Sequence, residues 1–449
     1  MRKMGRREFL TGSAATIAAF SVVPRHVLGG AGFKAPSEKL NIAGIGIGGM
    51  GRVDLQNVSG ENIAALCDVD EEYAGKVFAE YPQAKRYRDF REMLQGQKDI
   101  DAVVIATPDH LHAVVAMTAV KLGKHVYCEK PLTYTLYEAR ALVEASRKAK
   151  VATQMGNYGH SSEGIRLVCE WIWDGAIGEV TEVYAWTPLP AGLWAQGVDK
   201  PQDRPAVPKT LDWDLWLGPA PERDYNPAYA PFKWRGWWDF GTGALGDQAC
   251  HTLDVPFWAL KLGHAESVEA SFTRAGFPEP VINKESYPLA SIVRYRFPAR
   301  EGKPAVKVSW YDGGLMPERP AELEQGARMG NQYGGVLFVG SKGKLMCGTF
   351  GEGPRLLPEQ RMKEYQRPTK TIARSQGHYQ DWLNACRGGE PAGSNFDYAG
   401  PLTEMALLGN LAIRMGGEKL EWDGEKMKVT NNDEANKYVH REYRAGWSL

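Results

Sequence analysis

The stretch Leu40-Asn41-Ile42-Ala43-Gly44-Ile45-Gly46-Ile47-Gly48-Gly49-Met50-Gly51 decides how the fold is read. Its first half is a short apolar run suited to a strand buried on both faces, and its second half is a G-x-G-x-x-G opening a helical stretch to about Val58. Gly46 permits a tight turn, Gly48 lets the backbone approach a pyrophosphate, and Gly51 allows close packing of helix on strand. Gly49 and Met50 sit where the helix N-terminus faces the phosphate charge. The next apolar run, Asn62 to Leu66, ends at Cys67-Asp68, and Asp68 lies 22 residues beyond Gly46, where a carboxylate accepts hydrogen bonds from the adenosine ribose. A dinucleotide is the expected cofactor. Asp70, Glu71 and Glu72 follow, with no nearby arginine placed to hold a 2′-phosphate, so NAD is expected and NADP is the less favoured alternative.

Outward from this stretch the alternation continues. Asp101 to Thr107 reads as a strand, His110 to Leu122 as a helix, His125 to Cys128 as a strand, Leu136 to Lys148 as a helix and Val151 to Met155 as a strand. Strands spaced by helices imply a doubly wound parallel sheet, the Rossmann arrangement, covered on both faces. With 449 residues the chain holds two cores, and the expected division is a leader and linker over 1–35, a nucleotide domain over 36–157 and a substrate and oligomerisation domain over 158–449. Lys plus Arg (54) balances Asp plus Glu (54), so no field draws the chain to nucleic acid or anionic lipid, and a small neutral partner fits best. The six cysteines are dispersed without C-x-x-C or metal-ligand spacing, so no metal site is expected.

Upstream, Arg2, Lys3, Arg6 and Arg7 precede the apolar run Ala14 to Val23, which is too short to cross a bilayer. Gly5 to Thr11 resembles a twin-arginine (Tat) export signal, though it lacks the usual Ser/Thr before and Lys after the core. The resemblance implies export of the folded protein to the periplasm by the Tat machinery. No clean A-x-A marks a cleavage point between Pro24 and Ala35.

Two further segments carry a family resemblance. Glu129-Lys130-Pro131, following Ala106-Thr107-Pro108 and His112, is similar to the signature of the Gfo/Idh/MocA oxidoreductases, the glucose-fructose oxidoreductase and inositol dehydrogenase relatives. The turn Gly175 to Val180 resembles the family's entry into its second domain. The resemblance implies an α/β second domain with an open, mostly antiparallel sheet, and a homodimer or homotetramer. Strand candidates in keeping with it are Val180 to Trp186, Glu266 to Ala275, Leu289 to Phe297, Val306 to Tyr311, Gly335 to Gly340 and Gly343 to Cys347. A last helix, Leu402 to Met415, is expected to pack back.

Oxidising an alcohol carbon requires a hydride acceptor and a side chain that takes the hydroxyl proton. Gly246 to His251 resembles the family's D-x-x-x-H motif, whose spacing puts Asp247 and His251 on one helix face. By resemblance His251 is the proton acceptor, Lys130 holds the reacting hydroxyl, and Asp247 orients the substrate. Thr107, Pro108, His112, Glu129 and Lys130 join the glycine loop and Asp68 on the cofactor side. Asn157, Tyr158, His160, Arg235 and Trp237 are candidate substrate contacts. Each has a plainer alternative: His251 as a core histidine bonded to Asp254, Asp247 as a helix N-cap, and the tryptophans of Trp234 to Trp238 as core or subunit contacts. The expected activity is NAD-dependent hydride transfer at a sugar, glycoside or polyol, with a tightly held cofactor because no free pool of NAD exists outside the cytoplasm. The alternative is NAD-dependent glycoside cleavage by transient oxidation and elimination, for which Tyr158/His160 and His378/Tyr379 are candidate bases.

Overall fold

The computed structural model describes residues 38–189, 192–276 and 278–449, so the twin-arginine segment lies outside the described residues. Six parallel strands form the first sheet: β1 (Asn41–Ile45), β2 (Asn62–Cys67), β3 (Lys85–Tyr87), β4 (Ala102–Ile105), β5 (His125–Cys128) and β6 (Thr153–Met155), in the order β3-β2-β1-β4-β5-β6. All four residues of β4 are buried, as a strand covered on both faces requires. The order reverses between β1 and β4, which opens a crevice at the carboxyl ends of those strands. The helix Leu136–Ala149 begins in a reciprocal cap between Thr135 and Glu138 that satisfies backbone donors otherwise left bare.

The second sheet has nine strands: β7 (Val180–Trp186), β8 (Ser267–Phe272), β9 (Ser291–Phe297), β10 (Val306–Tyr311), β11 (Gly335–Gly340), β12 (Gly343–Cys347), β13 (Arg355–Leu357), β14 (Leu420–Asp423) and β15 (Lys428–Val429). Only β7 and β10 pair in parallel; every other neighbour is antiparallel. In β9 the buried residues alternate, with Ser291, Val293, Tyr295 and Phe297 turned inward to the side covered by the helix Phe396–Arg414. That helix starts six residues before the expected Leu402, because Asn395 caps it by accepting from the Asp397 N–H.

Two long excursions tie the halves together. Trp382, Leu383 and Ala392, from the segment before the last helix, join Ile42, Leu55, Val104 and Tyr127 in one buried cluster on a face of the first sheet. The segment between β7 and β8 crosses to the other side: Asp212 N–H donates to Val69 O at 2.9 Å and Glu71 N–H to Thr210 O at 3.0 Å, and the segment carries its own aromatic core of Trp216, Tyr229, Trp234, Trp237 and Phe240. Among the described residues no helix is long and apolar enough to cross a membrane.

Candidate active site

Gly46 follows β1 with φ of +74°, and a Cβ there would lie 2.7 Å from Thr107 N. At Gly51 a Cβ would meet Gly46 O at 2.1 Å, so the helix Gly49–Asn57 starts with its backbone against the loop. Asp68, at the end of β2, turns its buried carboxylate onto the same loop. Its Oδ2 accepts from the N–H of Ile47 (2.9 Å) and Gly48 (3.3 Å), and its Oδ1 accepts from Asp70 N–H (3.0 Å). Burial pushes the Asp68 carboxyl up to about 6, against the pull of those three N–H groups.

Asp68 is therefore ionised, and able to accept ribose hydroxyls, above about pH 6 and protonated below it. NAD affinity measured by calorimetry is expected to fall as pH drops through that value, by up to about tenfold per pH unit. Asp68→Asn is expected to bind NAD weakly and without that slope.

A cavity of about 380 Å³ runs from the glycine loop along the carboxyl ends of the strands to Lys130 and His251. Gly46, Gly48, Gly49, Met50, Asp68, Thr107, Pro108, His112, Glu129 and Lys130 line it from the first half of the chain, and Tyr158, Arg235 and His251 from the second. Gly51 stays behind the loop as its packing contact. The His112 ring bridges two loops, with Nδ1 2.7 Å from Pro131 O and Nε2 2.8 Å from Thr107 O, and so fixes the turn that carries Lys130. Among the described residues, three buried polar atoms of the wall lack a partner: Thr107 Oγ1, Glu129 Oε1 and His251 Nδ1. Orphaned groups beside a glycine turn and a buried acid fit a dinucleotide well.

At the far end Lys130 Nζ donates to both the carboxylate (2.8 Å) and the backbone oxygen (2.8 Å) of Asp247, leaving one of its three donors for a ligand. Asp247 also accepts from Arg235 Nε (3.3 Å) and Gln248 Nε2 (2.6 Å). Burial alone would raise the Asp247 carboxyl, but the Lys130 and Arg235 charges outweigh it and hold the group below the usual carboxylate range. Burial likewise works against the Lys130 ammonium, yet Asp247 and Glu129 raise its pKa, so it stays charged. Burial, with Lys130 adding to it, pushes His251 down to about 3, and its buried Nδ1 has no hydrogen-bond partner among the described residues. The ring is neutral at ordinary pH. Tyr158 and Phe350 flank it at ring-centroid distances of 5.4 and 5.1 Å.

Asp247 is not an N-cap: the helix Gly243–Thr252 begins earlier, after Thr242, and holds Asp247 and His251 one turn apart; His251 lines the cavity, whereas Asp247 is not in its wall and acts on it through Lys130 and Arg235. Asp254 does not bond His251 either. It accepts instead from His160 Nδ1 (3.0 Å), Asn157 Nδ2 (3.1 Å) and the Tyr398 hydroxyl. Asn157 and His160, expected as substrate contacts, consequently lie outside the cavity wall, and His160 stacks on Trp258. Trp237 is also out of reach, buried with its indole N–H on Ala228 O at 2.8 Å, while Trp234 and Phe232 line the cavity in its place. On the short helical turn Lys233–Gly236 neighbouring side chains diverge, which sequence spacing does not reveal.

Among the wall residues that escaped the sequence reading are Arg88 and Trp447. Arg88 reaches the cavity because β3 returns beside β2, so an arginine does stand near Asp68; its guanidinium is engaged by Glu71 at 2.8 Å. Trp447 closes the same adenosine side, 6.1 Å from the Phe90 ring and with Arg91 over its own ring at 4.4 Å. Trp447→Ala is expected to speed NAD dissociation about 5–20-fold in a stopped-flow chase, through lost apolar burial, with little change in kcat.

Residues 40–157 match the model of an oxidoreductase family's NAD-binding Rossmann fold, and residues 181–272 match the same family's C-terminal alpha/beta domain, Gfo/Idh/MocA in both cases. A levoglucosan dehydrogenase from Pseudarthrobacter phenanthrenivorans is 28% identical over 191 residues, 42% of this chain and 40% of that protein. An inositol 2-dehydrogenase from Salmonella typhimurium is 31% identical over 150 residues, 32% of this chain and 44% of that protein. The match thus spans less than half the length of either relative. Among solved structures, the WlbA dehydrogenase from Bordetella pertussis, in complex with NADH and UDP-GlcNAcA, superposes with a TM-score of 0.59 at 18% identity, covering 86% of this chain and 99% of that one, which is a likeness of fold.

Proposed function

We propose that the chain is a Gfo/Idh/MocA oxidoreductase, the family whose two models match residues 40–157 and 181–272, and that it oxidises or reduces a CH–OH group of a sugar, glycoside or polyol with NAD. The observation that carries this reading is the convergence, in the cavity that starts at the glycine loop, of a charged Lys130 pinned by Asp247 and a neutral His251. The loop, Asp68, Thr107 and Glu129 hold the cofactor, which supplies the hydride acceptor when bound. Lys130 donates its remaining N–H to the reacting oxygen and stabilises the negative charge that develops there. His251 takes the hydroxyl proton; a base this weak depends on Lys130 to acidify the hydroxyl first. Asp247 and Arg235 keep the Lys130 ammonium in place.

The elimination reading has less support. Of its candidate bases only Tyr158 lines the cavity, and burial raises its phenol pKa, which keeps it protonated. His378 is bonded to Met155 O, and the Tyr379 hydroxyl donates to Asp54.

Export through the Tat pathway, a cofactor retained through turnover and a homo-oligomer formed on the second sheet are part of the same proposal. Arg6-Arg7 supports the first, the Trp447 wall the second, and the part-exposed Tyr184 and Tyr311 side by side on the sheet the third. The test is to titrate purified protein with NAD and then follow nicotinamide fluorescence across a panel of pyranoses, anhydrosugars and inositols. A substrate-dependent change that Lys130→Ala abolishes supports the reading; failure to bind NAD overturns it.

A further inference from the structure

A second cavity, of about 310 Å³, shares no wall residue with the cofactor cleft. It opens where the start of helix Leu136–Ala149, the end of helix Phe396–Arg414, the Trp238-Asp239 corner and residues 437–442 meet. Asn410, in its wall, is 6% exposed; its Nδ2 donates to Thr242 O at 2.7 Å, but its buried Oδ1 has no donor. An unsatisfied buried amide oxygen is costly, and a ligand hydroxyl would relieve it.

One turn along the same helix Arg414 lies over two rings, Trp238 at 5.0 Å and Tyr438 at 4.2 Å. Among the described residues it has no carboxylate partner. The other long cations of the wall do: Arg441 pairs with Glu138 (2.8 Å) and Lys437 with Glu434 (2.5 Å). The wall's Asp239 is likewise tied up by Arg223, and Glu442 stands exposed at the rim. A guanidinium held against rings keeps its N–H edge free, and that planar fork matches a carboxylate. Tyr134 and Tyr287 add aromatic surface with their hydroxyls already donating to Trp238 O and Gly241 O.

We propose that this cavity binds a small sugar acid, with its carboxylate on Arg414, a hydroxyl donating to Asn410 Oδ1 and its apolar face on the aromatic wall. The assignment does not depend on the chemistry of the first cavity.

Calorimetric titration of the NAD-loaded protein with glucuronate tests it, with glucose and glucose 6-phosphate as comparators. One glucuronate per chain is expected in both the wild type and Lys130→Ala, with glucose at least about tenfold weaker. Arg414→Gln is expected to weaken glucuronate by at least about tenfold. Tyr438→Ala, a change at a part-exposed ring that spares the fold, is expected to weaken it severalfold, each variant retaining the wild-type melting temperature. Three results would overturn the proposal: no glucuronate binding, binding lost in Lys130→Ala but kept in Arg414→Gln, or glucose 6-phosphate bound as tightly as glucuronate.

Discussion

His251→Ala is expected to lower kcat by about 10²–10⁴-fold, the usual contribution of a positioned proton acceptor, while NAD affinity stays within about threefold. The affinity should hold because His251 sits at the Lys130 end of the cavity, far along from the loop and Asp68 that seat the nucleotide. The pH profile separates this role from a structural one. With its pKa pushed down to about 3, His251 is already in its accepting form throughout the working range, so it creates no acid limb near the ordinary histidine value. Any fall in kcat/KM on acidification should instead track the two carboxyls of the cofactor side that burial raises, Asp68 at about 6 and Glu129. If steady-state rates of the wild type fell with a midpoint near 6.5 that His251→Ala removed, the assigned ionisation of His251 would be wrong.

Asp254→Ala is expected to cost about 3–5 kcal/mol of stability, read as a lower urea midpoint. Asp254 is 1% exposed and is the shared acceptor for His160, Asn157 and Tyr398, which arrive from the crossover after β6 and from the long helix Phe396–Arg414. Truncation strands all three donors without water. Asn157 directly precedes Tyr158, so activity at temperatures where the variant remains folded should also drop, through a displaced cavity wall. Asp254→Asn, which keeps an acceptor oxygen, should lose less. Equal losses in both variants would mean that the charge, and not the acceptor, is what the three donors require.

The inner strands β1, β2, β4 and β5 of the first sheet were legible because each is a short, mostly apolar run, and burial on both faces writes that pattern directly into the sequence. Four strands of the second sheet were bounded to the residue for a similar reason, since Val180 to Trp186 and Val306 to Tyr311 alternate or cluster around turn residues. The short edge strands β3, β13 and β15 were not, being two or three residues long with no period to read. At the site, the family resemblance gave Lys130, Asp247 and His251, of which Lys130 and His251 line the cavity and Asp247 holds Lys130. It failed on direction. Glycines in the first turn of helix Gly243–Thr252 hid its start and made Asp247 resemble a cap. Trp447 and Arg88 reach the cavity only through tertiary closure, and no local pattern encodes that.

The cluster that Trp382, Leu383 and Ala392 complete on the first sheet also sets an order of events on the ribosome. Residues 40–157 emerge before the second sheet, yet the apolar surface of Leu55, Val104 and Tyr127 stays without that cover until 235 further residues, up to Ala392, have been added. At about 5–20 residues per second this interval lasts about 10–50 s. During it the nascent chain presents a nearly finished nucleotide domain with one greasy face, a natural client for a holdase chaperone. Translation must therefore pass Ala392 before the glycine loop rests on a finished core.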